Sequence, residues 1–183
     1  MKLAEGRLAS RPDEEVLLRH ICSQPGNHLE IGTLWGATSI IAAEMKPEPW
    51  RIFAIDIMRG GYWVDGDPSM KDHPRPTARA ILNNFRMNNV AHRITLICSD
   101  SNPLPIPESI EIGTALIDGG HGEVACRHDW ENLSPRVKSY IAIHDYATGK
   151  HPGVQKVVDD VVMADNDWEF FDQAGTLLVM KRK

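Results

Sequence analysis

The fold of this chain is decided near its C-terminus, by the sequence WEFFDQAGTLLVM at residues 168–180. Two strand-forming apolar runs, 168–171 and 176–180, are separated there only by Asp-Gln-Ala-Gly at 172–175. Two parallel strands need a crossover of a dozen or more residues between them. The short connection therefore predicts an antiparallel hairpin at one edge of a sheet.

Upstream of this hairpin, short apolar runs alternate with helical patterns. The predicted strands are 28–32, 51–56, 93–98, 114–118 and 137–144, and the predicted helices are 13–23, 37–45, 77–87, 123–133 and 153–164. The first helix is expected to be capped by Asp13 and to carry Val16 on its apolar face. This alternation is typical of a parallel sheet with helices on both faces. A parallel sheet that ends in an antiparallel hairpin differs from the plain dinucleotide-binding fold.

Length and composition narrow the classes of function. A chain of 183 residues fits one domain, 1–183, with an N-terminal helical segment at 1–27. The formal charge of −5 argues against a protein that binds nucleic acid through its phosphates. No apolar run reaches the ~18 residues of a membrane span. The N-terminal sequence lacks the apolar core of a signal peptide and the cysteines lack a disulfide pattern, so we expect a cytoplasmic protein.

The turn after the first predicted strand is the first candidate binding element. Its sequence, Glu30-Ile31-Gly32-Thr33-Leu34-Trp35-Gly36, has the pattern E-x-G-x-x-x-G. Dinucleotide sites use G-x-G-x-x-G, whose second glycine makes room for pyrophosphate, and Leu34 stands at that position. A carboxylate just before the first glycine suits a ligand with an ammonium group better than one with phosphates. The alternative is an ordinary strand-to-helix turn with Glu30 as a surface charge.

The ends of the next two strands also carry acidic residues. Asp56 ends the second strand, where nucleoside-binding proteins place a carboxylate that holds ribose hydroxyls. The alternative for Asp56 is a helix cap or a loop salt bridge. Asp100 and Ser101 follow the third strand in the same way. The alternative for this pair is a simple Asp-Ser turn.

A denser cluster follows two later strands, with Asp118 and His121 after one and His144 and Asp145 after the other. Open α/β sheets bind ligands at the carboxyl ends of their strands. Asp118 and Asp145 could hold a hard divalent cation through oxygen, and either histidine could act as a base or a ligand. The alternative for each histidine is a hydrogen-bonded structural role.

The segment 57–75 predicts a long loop, because it contains glycine, proline and aspartate without periodicity. Its Tyr62 and Trp63 could stack on a substrate or simply be exposed. His73 and His151 lie in loops without metal-ligand spacing, which predicts solvated side chains.

Taken in order, these motifs resemble the class I S-adenosylmethionine-dependent methyltransferases. They are E-I-G-T-x-x-G-x-T-S from residue 30, A-I-D at 54–56, S-D-S at 99–101, I-D-G-x-H at 117–121 and H-D-Y at 144–146. Within that class, the chain is similar to small O-methyltransferases of the macrocin and rhamnosyl sugar type. The resemblance implies a Rossmann-like α/β fold with a seven-stranded sheet of order 3-2-1-4-5-7-6, in which strand 7 is antiparallel and helices cover both faces.

The resemblance also implies roles for individual residues. Cofactor-binding roles fall on Glu30, Gly32, Thr33, Gly36, Asp56, Asp100, Ser101 and Asp118. Metal-dependent relatives bind magnesium through the strand-four aspartate and an acidic pair after strand five, positions that Asp118 and Asp145 match. His144 stands where those relatives have the first acid of the pair.

The implied reaction is methyl transfer from S-adenosylmethionine to a small-molecule or sugar hydroxyl. Either Mg²⁺ at Asp118 and Asp145 or a histidine base would help remove the hydroxyl proton. We expect catalytic roles for Asp118, His121 and His144, with His121 favoured as the base. Acceptor selection is expected from the 57–75 loop, the 145–152 loop or a second subunit, which leaves a homo-oligomer open.

Three other functions use some of the same residues. A small NAD(P)-dependent oxidoreductase would share the early carboxylates, but the glycine pattern and the terminal hairpin count against it. A non-catalytic nucleoside-binding module would keep Glu30 and Asp56. A metal hydrolase would use the Asp-His cluster, and would leave the glycine turn and Asp56 without a role.

Overall fold

The computed structural model of this protein describes residues 12–58 and 76–183. Its α-helices are α1 (Pro12–Cys22), α2 (Ala37–Met45), α3 (Ala78–Met87), α4 (Glu123–Leu133) and α5 (Pro152–Val157). Its strands are β1 (Asn27–Ile31), β2 (Ile52–Asp56), β3 (Ile94–Cys98), β4 (Ile112–Ile117), β5 (Val137–Ile143), β6 (Trp168–Ala174) and β7 (Leu177–Arg182). Tyr62, Trp63 and His73 of the predicted loop lie outside the described residues.

The strands form one seven-stranded sheet in the order β3-β2-β1-β4-β5-β7-β6. β1 to β5 pair in parallel, whereas β7 runs antiparallel to both β5 and β6. The predicted sheet order and the antiparallel strand 7 are therefore confirmed. The physical reason is the one given by the sequence, since the turn before Leu177 is too short for a crossover helix.

Two apolar cores lie on opposite faces of the sheet. Helices α1, α2 and α3 cover one face, through residues such as Ile21, Ile40 and Phe85. Helix α4, helix α5 and the turn after α5 cover the other face, through residues such as Trp130 and Val157. Both faces of the central strands are thereby buried, which explains why β4 is buried along its whole length. In the described part of the chain, no helix has the length and apolarity to cross a membrane.

The first helix differs from the prediction at its start. α1 begins at Pro12, so Asp13 lies inside its first turn rather than before it. Val16 is 70% exposed, whereas Leu17, Leu18 and Ile21 are buried. The buried face follows the i, i+3, i+4, i+7 spacing that starts from Glu14, and Val16 lies off that face.

The last helix is shorter than predicted, because α5 ends at Val157 and a π-helical turn follows at Val158–Val162. The amide of Met163 donates to the carbonyl of Val158 over 3.0 Å, a bond between residues five apart. Widening the helix here buries both Val158 and Val162. The single helix predicted over 153–164 is thus two helical segments.

Candidate functional site

The glycine turn after β1 lies directly against the end of β4. Gly32 has φ +89°, and a Cβ atom at this position would lie 1.8 Å from the carbonyl oxygen of Asp118. Gly36 has φ +81°, and a Cβ there would lie 2.5 Å from the ring of Phe85. Only glycine fits either position. Gly32 therefore allows the turn to pack against the end of β4, and Gly36 allows the chain to enter α2 beside Phe85.

Glu30 is the most enclosed acid of the site. It is fully buried near the end of β1, where the hydroxyls of Thr38 and Ser39 donate hydrogen bonds to its two carboxyl oxygens. Burial raises the pKa of the Glu30 carboxyl to about 8, although these hydrogen bonds act to lower it. The alternative of a surface charge at Glu30 is wrong.

Asp56 fastens the end of β2 to the glycine turn. Its Oδ2 accepts hydrogen bonds from the amides of Thr33 at 2.9 Å and Leu34 at 3.1 Å, and its Oδ1 accepts one from the amide of Met58 at 2.7 Å. A carboxylate offers about four acceptor positions, so one remains beyond these three bonds. The structure thus brings Gly32, Thr33 and Asp56 together, as predicted.

Asp100 and Ser101 bond to their own loop and to α4. Asp100 is exposed, and its Oδ1 accepts a hydrogen bond from the amide of Asn102 at 2.9 Å, which is the turn anticipated as the alternative. The Ser101 hydroxyl donates to Oδ1 of Asp129 at 2.6 Å. Burial raises the pKa of the Asp129 carboxyl to about 6. Ser101 therefore anchors this loop to a buried acid.

The four residues after β4 and β5 do come together. Nδ1 of His144 lies 3.3 Å from Asp118 Oδ1 and 3.6 Å from Asp145 Oδ1. Burial by itself lowers the pKa of the His144 imidazole, but the two aspartates more than reverse this effect and raise it to about 11. The two carboxylates therefore favour the protonated form of the His144 imidazole.

Asp145 also contacts two further histidines through its other oxygen. Its Oδ2 lies 2.9 Å from His121 Nε2 and 3.9 Å from His151 Nε2, and the two imidazole rings are 4.0 Å apart. Burial raises the pKa of the Asp145 carboxyl, but the hydrogen bonds from His121 and His144 outweigh it and hold the pKa well below its usual range. Asp145 thus contacts all three histidines of the cluster. Its backbone has a φ of +62°.

Two members of the site were not predicted. His151 was expected to be solvated, yet α5 begins directly after it and places its ring against His121. Glu14 of α1 is only 1% exposed, and its Oε2 lies 3.6 Å from Nε2 of His144. A signal for Glu14 was present, because it shares the buried face of α1 with Leu17 and Ile21. Its contact with His144 depends on how α1 packs on the sheet, which the spacing of residues along a helix does not reveal.

Asp118, His144 and Asp145 offer two carboxylates and one imidazole, whose donor atoms lie within 4.8 Å of one another. Mg²⁺ binds oxygen ligands in nearly ideal octahedral geometry. Here Asp118 and Asp145 both face an imidazole rather than a third carboxylate. The predicted pair of ligands is close together, with the imidazole of His144 between the two carboxylates.

Comparison with known proteins agrees with this architecture. Residues 29–146 match the family described as "Methyltransferase domain". The chain is similar in structure to the O-methyltransferase NovP, with a TM-score of 0.74 and 15% identity over 93% of this chain and 79% of that one. It is also similar to the O-methyltransferase TomG from Streptomyces achromogenes, with a TM-score of 0.67 and 16% identity over 96% and 81%.

A third similar structure is that of CalS11, a TDP-rhamnose 3'-O-methyltransferase of calicheamicin biosynthesis, with a TM-score of 0.63 and 16% identity over 92% of this chain and 76% of that one. No curated protein sequence matches the chain. The family match covers well over half of the chain, and it spans the glycine turn, Asp56, Asp118, His121, His144 and Asp145. The chain therefore belongs to the methyltransferase-domain family and is an S-adenosylmethionine-dependent methyltransferase of the class I fold.

Proposed function

We propose that this enzyme methylates a hydroxyl group of a small molecule, with His121 as the base. The observation that carries this proposal is the pair formed by His121 and Asp145 after β4 and β5, with 2.9 Å between Nε2 and Oδ2. A hydroxyl is a poor nucleophile until its proton is removed. A carboxylate-bound histidine at the cofactor edge of the sheet is the group that this step needs.

The tautomer of His121 follows from its contact with Asp145. Ionised Asp145 can only accept a hydrogen bond, so Nε2 of His121 carries the proton between them. The lone pair of the neutral ring is then on Nδ1. This nitrogen takes the proton of the acceptor hydroxyl, and the carboxylate of Asp145 stabilises the imidazolium that results.

His144 and Asp118 position this pair. His144 contacts Oδ1 of Asp145 and leaves Oδ2 directed at His121. Asp118, at the end of β4, contacts Nδ1 of His144, the nitrogen that also contacts Asp145. A side chain held from two sides keeps its orientation when the base gains a proton. We therefore assign these two residues to the geometry of the reaction rather than to proton transfer.

We propose that the cofactor lies along the ends of β1, β2 and β4. S-adenosylmethionine supplies a methyl group on a positively charged sulfur, which leaves as a neutral thioether. The acids of this edge suit the ammonium and sulfonium groups of such a ligand. The proposed cofactor-binding residues are Glu30, Gly32, Thr33, Gly36, Asp56, Asp100, Ser101 and Asp118.

The acceptor that we propose is a small molecule. The formal charge of −5 disfavours a nucleic-acid substrate. One similar structure is named for TDP-rhamnose and two are named as O-methyltransferases, which makes sugar hydroxyls the first acceptors to test. A homo-oligomer, which would let a second subunit close the acceptor side, is part of this proposal.

The decisive experiment is a calorimetric titration of the full chain with S-adenosylmethionine, its demethylated product and NAD. We expect micromolar or tighter binding of the first two and none of NAD. Transfer of labelled methyl to a panel of hydroxyl acceptors, including TDP-sugars, then tests the reaction. NAD binding without S-adenosylmethionine binding would overturn the proposal.

The contribution of magnesium is tested in the same assay. Because an imidazole lies between Asp118 and Asp145 instead of a third carboxylate, we expect enzyme treated with a chelator to keep full activity. Loss of activity on chelation, with recovery on adding Mg²⁺ alone, would contradict this expectation and make Asp118 and Asp145 the first ligands to test by substitution.

A further inference from the structure

We propose that His121, Asp145 and His151 form a binding site for a transition-metal dication of the zinc type, and that an ion bound there blocks methyl transfer. The two imidazoles and one carboxylate lie at the mouth of the cluster described above. The metal site stands on the geometry of these three residues. Its inhibitory effect rests on the proposed function of His121.

The distances between the donor atoms suit such an ion. Ligands about 2.0–2.1 Å from a tetrahedral zinc ion lie ~3.4 Å from one another. Asp145 Oδ2 is 2.9 Å from His121 Nε2 and 3.9 Å from His151 Nε2, on either side of that value. All three donor atoms lie within 4.8 Å of one another. The two distances from Asp145 therefore each differ from the tetrahedral value by about half an ångström.

The donor chemistry selects the class of metal. Two imidazole nitrogens and one carboxylate oxygen favour Zn²⁺, Co²⁺ or Ni²⁺ over Mg²⁺ or Ca²⁺. Three protein ligands leave a fourth coordination position for water. The side chains of His121, Asp145 and His151 are 14%, 18% and 27% exposed, so an ion from solvent can reach them.

The backbone holds the two histidines in register. A Cβ atom on Gly153 would lie 2.5 Å from both the carbonyl oxygen of His121 and the amide nitrogen of Glu123. The start of α5 therefore packs directly on the turn that carries His121, and His151 precedes α5. On the far side, His144 contacts the second oxygen of Asp145 at 3.6 Å. Such support of a metal-binding carboxylate strengthens metal sites.

Metal binding and base catalysis require different tautomers of the same ring. The base needs its proton on Nε2, towards Asp145, and its lone pair on Nδ1. An ion held with Asp145 needs the lone pair on Nε2, which moves the proton to Nδ1. His121 on a metal ion therefore has no basic nitrogen for the acceptor hydroxyl.

The test uses the full chain, freed of metals with a chelator, in wild-type form and as His151→Ala. Co²⁺ is added first, because its visible absorption reports its coordination, and Zn²⁺ is then titrated by calorimetry. We expect one ion per chain for the wild type and at least a tenfold loss of affinity for His151→Ala. His92→Ala is the matched control, since His92 is exposed and lies just before β3, at the opposite end of the sheet.

Equal Co²⁺ and Zn²⁺ affinity in His151→Ala and wild type would overturn the site, as would the absence of binding. His151→Gln serves if His151→Ala does not fold. An ion lost in His144→Ala but kept in His151→Ala would lie at the neighbouring Asp118 cluster and would also overturn the site.

Methyl transfer is measured separately. Zn²⁺ should inhibit the wild type and His92→Ala. For His151→Ala, the Zn²⁺ concentration that halves the variant's own metal-free activity should be at least tenfold higher. Wild-type activity that is unchanged at saturating Zn²⁺ would overturn the inhibition. If no acceptor is methylated under any condition, the proposed function fails, while the Co²⁺ spectra still decide whether the metal site exists.

Discussion

The two halves of the cofactor edge hold their acids in different ways. On the β1 side, defined by Glu30, Gly32 and Asp56, the carboxylates accept hydrogen bonds from hydroxyls and backbone amides. On the β5 side, defined by Asp118, His121, His144 and Asp145, they contact imidazoles. Hydroxyls and amides are neutral donors, whereas an imidazole can carry a positive charge. The first side therefore fixes the backbone at the strand ends, and the second holds the proposed base His121 on Asp145.

Gly32→Ala should have the largest effect, because the β1 side depends on contact between backbones. The new Cβ would lie 1.8 Å from the carbonyl oxygen of Asp118, at a φ of +89°. We expect a loss of at least about 3 kcal/mol in the free energy of unfolding, or no folded protein. Urea denaturation measures it.

The matched control for Gly32→Ala is Gly122→Ala. Gly122 has φ −70°, and a Cβ there would meet nothing within 4 Å. We expect this variant to stay within about 1 kcal/mol of the wild type. Equal stability of the two variants would show that the strand ends are not locked together.

His121→Asn should have the next largest effect, and it tests the β5 side. Loss of a general base slows a reaction by about 10²–10⁴-fold. We expect kcat to fall by such a factor, while the Kd for S-adenosylmethionine changes by less than about threefold. Single-turnover methyl transfer and calorimetry measure the two quantities. If the Kd rose by as large a factor as kcat fell, His121 would be assigned to cofactor binding rather than to proton transfer.

The β1 side was easier to predict from the sequence than the β5 side. Gly32 and Asp56 were placed correctly because strand-end positions follow from the βα rhythm, and parallel strands bring their carboxyl ends to one edge. The terminal hairpin followed from the length of a connection. These features depend on local sequence and on rules of topology.

The β5 side was predicted only in part. His121, His144 and Asp145 follow strands and were found, but His151 lies in a loop whose path is set by the contact of Gly153 with the turn at His121. Glu14 reaches His144 only through the docking of α1. The π-helical turn after α5 likewise depends on which valines meet the core. Such features depend on packing between distant elements, which spacing along the chain does not encode.

Glu30→Gln should change how the free energy of unfolding depends on pH. The pKa of Glu30 is about 8 in the folded protein and about 4.5 when unfolded. Between these values the folded chain binds more protons, so its free energy of unfolding falls as pH rises. Glutamine has no such dependence. We expect the variant to gain stability relative to the wild type from pH 5 to pH 9, by on the order of a few kcal/mol.

Urea denaturation at pH 5, 7 and 9 measures this difference for Glu30→Gln. A difference that stays constant with pH would mean that Glu30 ionises as freely in the folded chain as in water. Burial would then not raise the pKa of Glu30, and its contrast with Asp145, whose pKa the imidazoles lower, would lose its basis.

Ser101→Ala should have the smallest effect, and it extends the comparison to the loop after β3. The hydroxyl of Ser101 donates to buried Asp129, whose pKa is about 6. At pH 8 the variant leaves an ionised acid short of a donor, which costs about 1 kcal/mol or somewhat more. At pH 5 most of Asp129 is protonated in the folded state, so the cost should shrink.

The matched control for Ser101→Ala is Ser109→Ala, at an exposed serine in the segment between β3 and β4, which should change neither stability nor its pH dependence. If Ser101 also borders the cofactor, the Kd for S-adenosylmethionine should rise, by less than about tenfold. A loss of stability that is the same at both pH values would show that Asp129 keeps its charge through other partners. A Kd that does not change would place Ser101 outside the cofactor site and leave it as a support of α4 through Asp129.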